Sequence, residues 1–212
     1  MIDNFSKVKE MLTFKEGTFY VFVALQRAKD FSEVDLTSMP LLQSGKQRLL
    51  KYWLVDNMET LDKYTQEMQA YCKAFNGRLY MCTDLKSDKK ALALLSKKIQ
   101  DNLVTRVFGA PTPLKLFTPA MPLSVLESAE CSEKGHKYWL VDLDTRNEEL
   151  FNYLVKATNP QFVLDTCNGY HLLIKKEISR DDLHHNVYHM LSGTDRVLIE
   201  IKENALTLVY VA

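Results

Sequence analysis

The segment Tyr138-Trp-Leu-Val-Asp-Leu-Asp144 is an apolar stretch that ends in two alternating aspartates, and it decides the fold expected for this chain. Side chains of a β-strand point alternately to its two faces, so Asp142 and Asp144 are expected on one face while the intervening apolar residues turn to the core. Two neighbouring carboxylates repel each other unless a cation or a proton lies between them. The segment therefore predicts a divalent-metal site, with an ordinary strand end before a helix cap as the alternative.

The residues on either side of this segment predict the element order βαββαβ. Asn168-Gly169 is a strong hairpin signal between the second and third strands. The order is that of a ferredoxin-like or RNA-recognition-like fold, in which the first and third strands are central neighbours and the fourth flanks the first. The predicted strands are at 137–143, 162–166, 170–175 and 196–202, with a further strand at 205–211, and the predicted helices begin at Thr145 and Ser179.

This strand arrangement brings further polar residues to the aspartates. His171 opens the third strand, and Glu200 lies in the fourth, where the alternating apolar residues, including Val197, must face the helices. Three acids and one histidine are therefore expected on one open patch of sheet. Carboxylates with open coordination positions suit Mg²⁺ or Mn²⁺, and Glu200 as a third acid would complete a site for two ions and in-line phosphoryl transfer. Lys175, further along the same face, is expected to hold a nucleotide triphosphate together with His171, although a lone histidine is more often a packed or solvated residue than a ligand.

The chain divides into a front unit at residues 1–104, a connector at 105–136 and a palm-like part at 137–212. The expected fold class is α+β, with an α/β front unit joined to a ferredoxin/RRM-like βαββαβ palm. Arg78 opens a predicted strand of the front unit and is a candidate for phosphate or template contact. The front unit also contains Lys51-Tyr-Trp-Leu-Val-Asp56, a letter-for-letter copy of residues 137–142 for which an ancient duplication is one explanation.

Composition narrows the class of protein. The 27 basic and 27 acidic residues balance, so no overall charge attracts the chain to nucleic acid. The longest apolar run, Thr18 to Leu25, is too short to span a bilayer, and the first residues lack the pattern of a signal peptide. The four cysteines are scattered without a CxxC pair, which argues against a zinc ribbon or a disulfide framework. A cytoplasmic protein without membrane contact is the expectation.

Three short motifs together resemble those of a known family. They are the hydrophobic-Asp-hydrophobic-Asp run from Val141 to Asp144, the turn from Asn168 to His171, and the hydrophobic-acid-hydrophobic run from Ile199 to Ile201. This set resembles the three motifs of the archaeo-eukaryotic primase superfamily, also called primase-polymerases, and is similar to small phage and bacterial proteins with a related pattern. The resemblance covers about residues 137–210, and the front unit resembles the family only in layout.

The resemblance implies a minimal, stand-alone nucleotidyltransferase that uses Mg²⁺ or Mn²⁺, nucleoside triphosphates and single-stranded or primed nucleic acid. The third motif of that family usually carries Asp. This chain has Glu200 at the corresponding position, and the side chain of glutamate is one methylene longer. A catalytically degenerate palm that binds nucleic acid or a protein is the alternative, and another phosphoryl-transfer enzyme such as a nucleotidyl cyclase is a third possibility. The resemblance makes Asp142, Asp144 and Glu200 the catalytic metal ligands, and it places Thr166, Asn168 and His171 around the incoming nucleotide.

Overall fold

The computed structural model describes residues 1–39, 47–109, 120–134, 137–203 and 206–212, and this part of the chain is an α+β protein with two antiparallel sheets. Within it, no helix combines the length and apolarity needed to cross a membrane. The strands are β1 (Ile2–Asp3), β2 (Thr18–Arg27), β3 (Gln47–Val55), β4 (Arg78–Cys82), β5 (Lys86–Ser87), β6 (Tyr138–Leu143), β7 (Phe162–Asp165), β8 (Tyr170–Lys175), β9 (Ile199–Glu203) and β10 (Leu206–Val211). The helices are α1 (Phe5–Met11), α2 (Glu33–Thr37), α3 (Met58–Ala74), α4 (Asp88–Val107), α5 (Ala120–Leu126), α6 (Glu148–Thr158), α7 (Arg180–Tyr188) and α8 (Gly193–Arg196), with short 3₁₀ helices at Ala28–Asp30 and Ala129–Cys131.

The first sheet has six strands in the order β1-β10-β4-β2-β3, with β5 beside β2. Strand β2 is buried along all but its last residue because apolar groups cover both of its faces. Val23 on one face shares a core with Leu123 of α5. Phe22 on the other face shares a core with Leu61 of α3. Burial on both faces explains why this strand is a continuous apolar run in the sequence.

The second sheet has four strands in the order β7-β8-β6-β9, so β6 lies between β8 and β9 as predicted for the first, third and fourth strands. Val141 turns to the face covered by α6 and α7, where it shares a core with Leu154 and Val187. The opposite face was expected to be open. Instead, Leu140 and Leu173 join the core of the first sheet, because these large apolar side chains need burial. Polar residues begin at the next cross-strand pair on this face, Asp142 and His171.

Two local boundaries differ from the prediction. The helix expected to begin at Thr145 begins at Glu148, because the side chain of Asn147 caps it by accepting a hydrogen bond from the Leu150 amide at 3.0 Å. The fourth strand, expected from residue 196, begins at Ile199 because helix α8 occupies residues 193–196. Val197 therefore lies exposed after that helix and does not face the core.

The last strand belongs to the first sheet, although its position along the chain grouped it with residues 137–212. Strand β10 pairs with β4 on one side and with β1 on the other. Asn4, which is only 1% exposed, ties this strand to the second sheet: its side-chain amide donates to the carbonyl oxygens of Asp165 at 2.9 Å and Leu208 at 3.1 Å, and its oxygen accepts from the Asp165 amide at 3.2 Å. The two sheets are thus joined by buried hydrogen bonds as well as by a shared apolar core.

Part of the predicted connector lies outside the described residues, namely positions 110–119 and 135–136. The described remainder of 105–136 holds the end of α4, helix α5 and the 3₁₀ helix Ala129–Cys131.

Candidate functional site

The candidate site lies where the polar end of β6 meets its two neighbours. The register pairs Asp142 with His171 of β8 and, on the other side, with Glu200 of β9. Residues directly opposite each other on antiparallel strands project from the same face. Three of the residues predicted to form the site therefore stand in one row across three strands.

The carboxylate of Asp142 is held by two partners. His171 Nε2 lies 3.4 Å from Oδ1, and the ammonium of Lys202 donates to Oδ2 at 2.7 Å. Burial, which leaves only 15% of the Asp142 side chain exposed, acts to raise its pKa. The hydrogen bonds from His171 and Lys202, together with the positive charge of Lys202, outweigh burial and hold the pKa of Asp142 at about 2, so the group is a carboxylate at neutral pH.

His171 is fixed by the first sheet. Its Nδ1 lies 3.0 Å from Thr207 Oγ1 and accepts the backbone N–H of Leu208 at 3.4 Å. In this arrangement the Nε2 position carries the proton and faces Asp142. The side chain of His171 is only 9% exposed and links β10 to the carboxylate. This residue, predicted to contact the phosphates of the nucleotide, also lines the cleft beside Asp142.

Lys202 is a site residue that the sequence did not single out. Its ammonium lies 2.8 Å from Glu200 Oε2 as well as 2.7 Å from Asp142 Oδ2, so it bridges the two acids. Burial acts to lower the pKa of Lys202, but its hydrogen bonds to both carboxylates raise it overall. Strand alternation in the sequence places Lys202 on the same face as Glu200. Its contact with Asp142 is diagonal, because Lys202 lies opposite Leu140, and such a contact depends on the register of the folded sheet.

Asp144 continues the row of acids beyond the end of β6. Its backbone N–H donates to the Leu198 carbonyl at 2.8 Å, so pairing with the β9 side extends to this residue. Its side chain is exposed and lines a cleft of about 230 Å³ together with Asp142 and Glu200.

The loop that joins β7 to β8 forms another wall of this cleft. Thr166 and Asn168, which were predicted to shape the nucleotide pocket, line the cleft. The Thr166 amide donates to the Gly169 carbonyl at 2.9 Å, and the Gly169 amide donates to Thr166 Oγ1 at 3.0 Å. Among the described residues, positive φ angles occur at Asn76 and Asn159 and at Gly17 and Gly109. The hairpin predicted at Asn168-Gly169 is therefore present, since β7 pairs antiparallel with β8, but its turn is not of type I′, which needs positive φ at both central residues.

The opposite wall of the cleft comes from the first sheet and is basic. Arg78, predicted as a phosphate or template contact, lines the cleft, with its guanidinium paired to both carboxylate oxygens of Asp30. Burial acts to lower the pKa of Arg78, but its hydrogen bond to Asp30 raises it overall. Arg27, the last residue of β2, and Lys29, in the 3₁₀ helix that follows it, line the same wall, and neither belongs to a motif that would single it out in the sequence.

Lys175 is the predicted site residue that the fold does not bring to this cleft. It pairs with Tyr138 at the far end of β6 and β8. At about 3.3 Å per residue, this places its Cα roughly 13 Å along the strand from the level of Asp142.

The predicted metal site is not preformed. Among the described residues, no three carboxylate, imidazole or thiol groups converge closely enough to hold a metal ion as they stand. The donors nevertheless suit a hard divalent ion, because carboxylate oxygens are the ligands that Mg²⁺ and Mn²⁺ prefer. A cation, the Lys202 ammonium, already lies between Asp142 and Glu200, so the space between these acids accommodates a positive charge.

Comparisons of this chain with protein-family models, with curated protein sequences and with solved structures find no match.

Proposed function

We propose that this chain is a metal-dependent nucleotidyltransferase of the primase-polymerase type, which adds nucleotides to a nucleic-acid strand on a template. The observation that carries the proposal is the strand register that aligns Asp142 with His171 and Glu200. Strand alternation and element order alone predict this row of residues, and the resemblance assigns all three to the catalytic motifs.

We further propose that the second sheet is a ferredoxin- or RRM-like palm, and its strand order supports this. An antiparallel sheet in the order β7-β8-β6-β9, formed by the chain order βαββαβ, is the arrangement expected of a ferredoxin- or RRM-like palm. On such a palm, catalytic acids at the end of the first strand face whatever covers the sheet. Here the covering element is the first sheet, whose contribution to the cleft is the basic wall of Arg27, Lys29 and Arg78.

The charge distribution supports a triphosphate as the substrate. Acids on one wall and the cationic side chains of Arg27 and Lys29 on the other give a polyphosphate two kinds of partner. The guanidinium of Arg27 matches the geometry of phosphate oxygens, whereas that of Arg78 is already paired with Asp30. Mg²⁺ or Mn²⁺ bound at the acids would neutralise phosphate charge in an in-line displacement. An adjoining cleft of about 350 Å³ combines polar residues such as Gln47 with Leu25 and Tyr80, which give a base a partly apolar surface.

A test is primer extension and de novo priming on single-stranded DNA with Mn²⁺ and labelled nucleotides. We expect product with the wild type and a loss of at least about 100-fold in the Asp142→Asn/Asp144→Asn variant, because both carboxylate charges are removed. Asp56→Asn is a matched control, since Asp56 ends the identical hexapeptide in the front unit and is exposed there. Wild-type protein that is folded and yields no product overturns the proposal, and template-free turnover of one triphosphate indicates a nucleotidyl cyclase instead.

A specific observation favours the second candidate, a non-catalytic palm that binds nucleic acid. Lys202 between Asp142 and Glu200 neutralises the acids without a metal ion, as a permanent structural ion pair would. For that module we expect binding of single-stranded DNA that is indifferent to EDTA.

We further propose a cytoplasmic location, which agrees with the free thiol state of Cys72, Cys82, Cys131 and Cys167.

A further inference from the structure

The ammonium of Lys202 occupies a position that suits a metal ion. It touches one oxygen of Asp142 at 2.7 Å and one oxygen of Glu200 at 2.8 Å, and these two acids are direct cross-strand partners. A cation in this position relieves the repulsion between the carboxylates. The position cannot hold the lysine and a divalent ion at the same time.

The two groups that contact Asp142 differ in how easily they can leave. His171 is buried and is held from behind by Thr207 and Leu208 of the first sheet. Within the described part of the chain, Lys202 has no such second support, because its ammonium contacts the two acids themselves. Its side chain is 34% exposed, and the ammonium lies at the end of a flexible four-carbon stem.

The contact with Glu200 is the weaker of the two that Lys202 makes, because the Asp142 side chain is only 15% exposed. The Lys202–Glu200 contact is weak because 69% of the Glu200 side chain is exposed to solvent, where an ion pair contributes little. A divalent ion brings twice the charge of the ammonium to the same carboxylates. The displaced ammonium has room in the cleft of about 230 Å³, which Lys202 lines together with the two acids.

We propose, on the basis of the metal site in the proposed function, that Lys202 is a tethered counter-ion that occupies the metal position of the free protein and must leave it for a divalent ion to bind. Lys202 is in this sense a positioning residue: it keeps the Asp142 and Glu200 carboxylates together in the absence of metal, and it sets the threshold of metal concentration at which the site fills. Once displaced, its charge is added to the basic groups that face the phosphates.

The test is a titration of the intact chain with Mn²⁺ alone, followed by electron paramagnetic resonance of the free ion. We expect Lys202→Met to bind Mn²⁺ about tenfold more tightly than the wild type, because the competing cation is gone and the acids repel each other. Lys202→Gln should change the affinity in the same direction and serves as a second variant if the first folds poorly. Lys176→Met is the matched control, since it removes a lysine from another lysine–glutamate pair of the same sheet, with Glu203.

The outcomes separate this inference from the proposed function. Tighter binding in the Lys202 variants but not in Lys176→Met supports the inference. If the Lys202 variants bind Mn²⁺ and the wild type does not, the lysine occupies the metal position permanently. That result supports the inference that Lys202 holds this position and contradicts the proposed metal-dependent function. Equal or weaker binding in the Lys202 variants, or equal gains in all three, overturns the inference, and template-dependent product from the wild type would still support the proposed function.

Discussion

Gly169 lies against the backbone of Leu143 so closely that a Cβ atom added at residue 169 would be 1.9 Å from the Leu143 carbonyl oxygen. The same atom would lie 2.7 Å from the carbonyl oxygen of Thr145. The loop between β7 and β8 is therefore packed directly on the end of the strand that carries the two aspartates. Glycine is required here by close approach of two backbones rather than by a left-handed turn.

Gly169→Ala should consequently destabilise the protein by about 2–4 kcal/mol, because backbone atoms cannot move aside as a flexible side chain can. Urea unfolding measures the change. Gly193→Ala is a matched control, since an added Cβ at residue 193 meets no atom within 4 Å, and we expect its free energy of unfolding to lie within about 0.5 kcal/mol of the wild type. Similar losses in the two variants would show that the loop is not packed against β6 in this way.

Asn4→Ala should weaken the connection between the two sheets. The side chain of Asn4 is buried and makes three hydrogen bonds to backbone groups of Asp165 and Leu208, which would be left without this partner. We expect a loss of about 2–4 kcal/mol in the free energy of unfolding. Asn152→Ala, at an exposed position of α6, should change it by no more than about 0.5 kcal/mol. An equally small effect of Asn4→Ala would contradict the bridging role.

The stability contributed by Asp142 should depend on pH in acid. Its pKa is lowered from the ordinary 3.8 to about 2 in the folded chain, so its contribution is fully present above about pH 4 and is lost as the pH falls through 2. The shift corresponds to about 2 kcal/mol. In EDTA, the wild type should be more stable than Asp142→Asn at pH 7, and the difference should shrink between pH 4 and pH 2. A difference that is constant over this range would mean that His171 and Lys202 do not stabilise the carboxylate.

The row formed by Asp142, His171 and Glu200 could be predicted because two regular quantities determine it. Strand alternation fixes which face each side chain occupies, and the βαββαβ order fixes which strands are neighbours. The contact between Lys202 and Asp142 could not be predicted in the same way. It runs diagonally between strands, and it depends on side-chain reach as well as on register.

The repeated hexapeptide shows where local sequence stops being informative. Residues 51–56 and 137–142 are identical, yet the first copy lies in β3, an edge strand, and the second in β6, between two partners. Asp56 accordingly accepts hydrogen bonds at the start of a helix, from Asn57 and Thr60, whereas Asp142 faces His171 and Lys202 across two strand pairings. The placement of β10 in the first sheet likewise depends on long-range pairing that no local pattern encodes.

Arg27→Gln should weaken binding of a Mg²⁺–nucleoside triphosphate by about tenfold if the basic wall faces phosphate, because one guanidinium leaves the cleft while Arg78 stays paired with Asp30. Isothermal titration calorimetry measures the affinity, and the loss should be smaller at high salt, where charge is screened. Arg48→Gln makes the same change at an exposed position of the neighbouring strand β3 and should leave the affinity unaltered. Equal losses of affinity in both variants would indicate a general effect of net charge. No loss in either variant would mean that Arg27 does not contact the phosphates, and the acids would then lack their expected partner across the cleft.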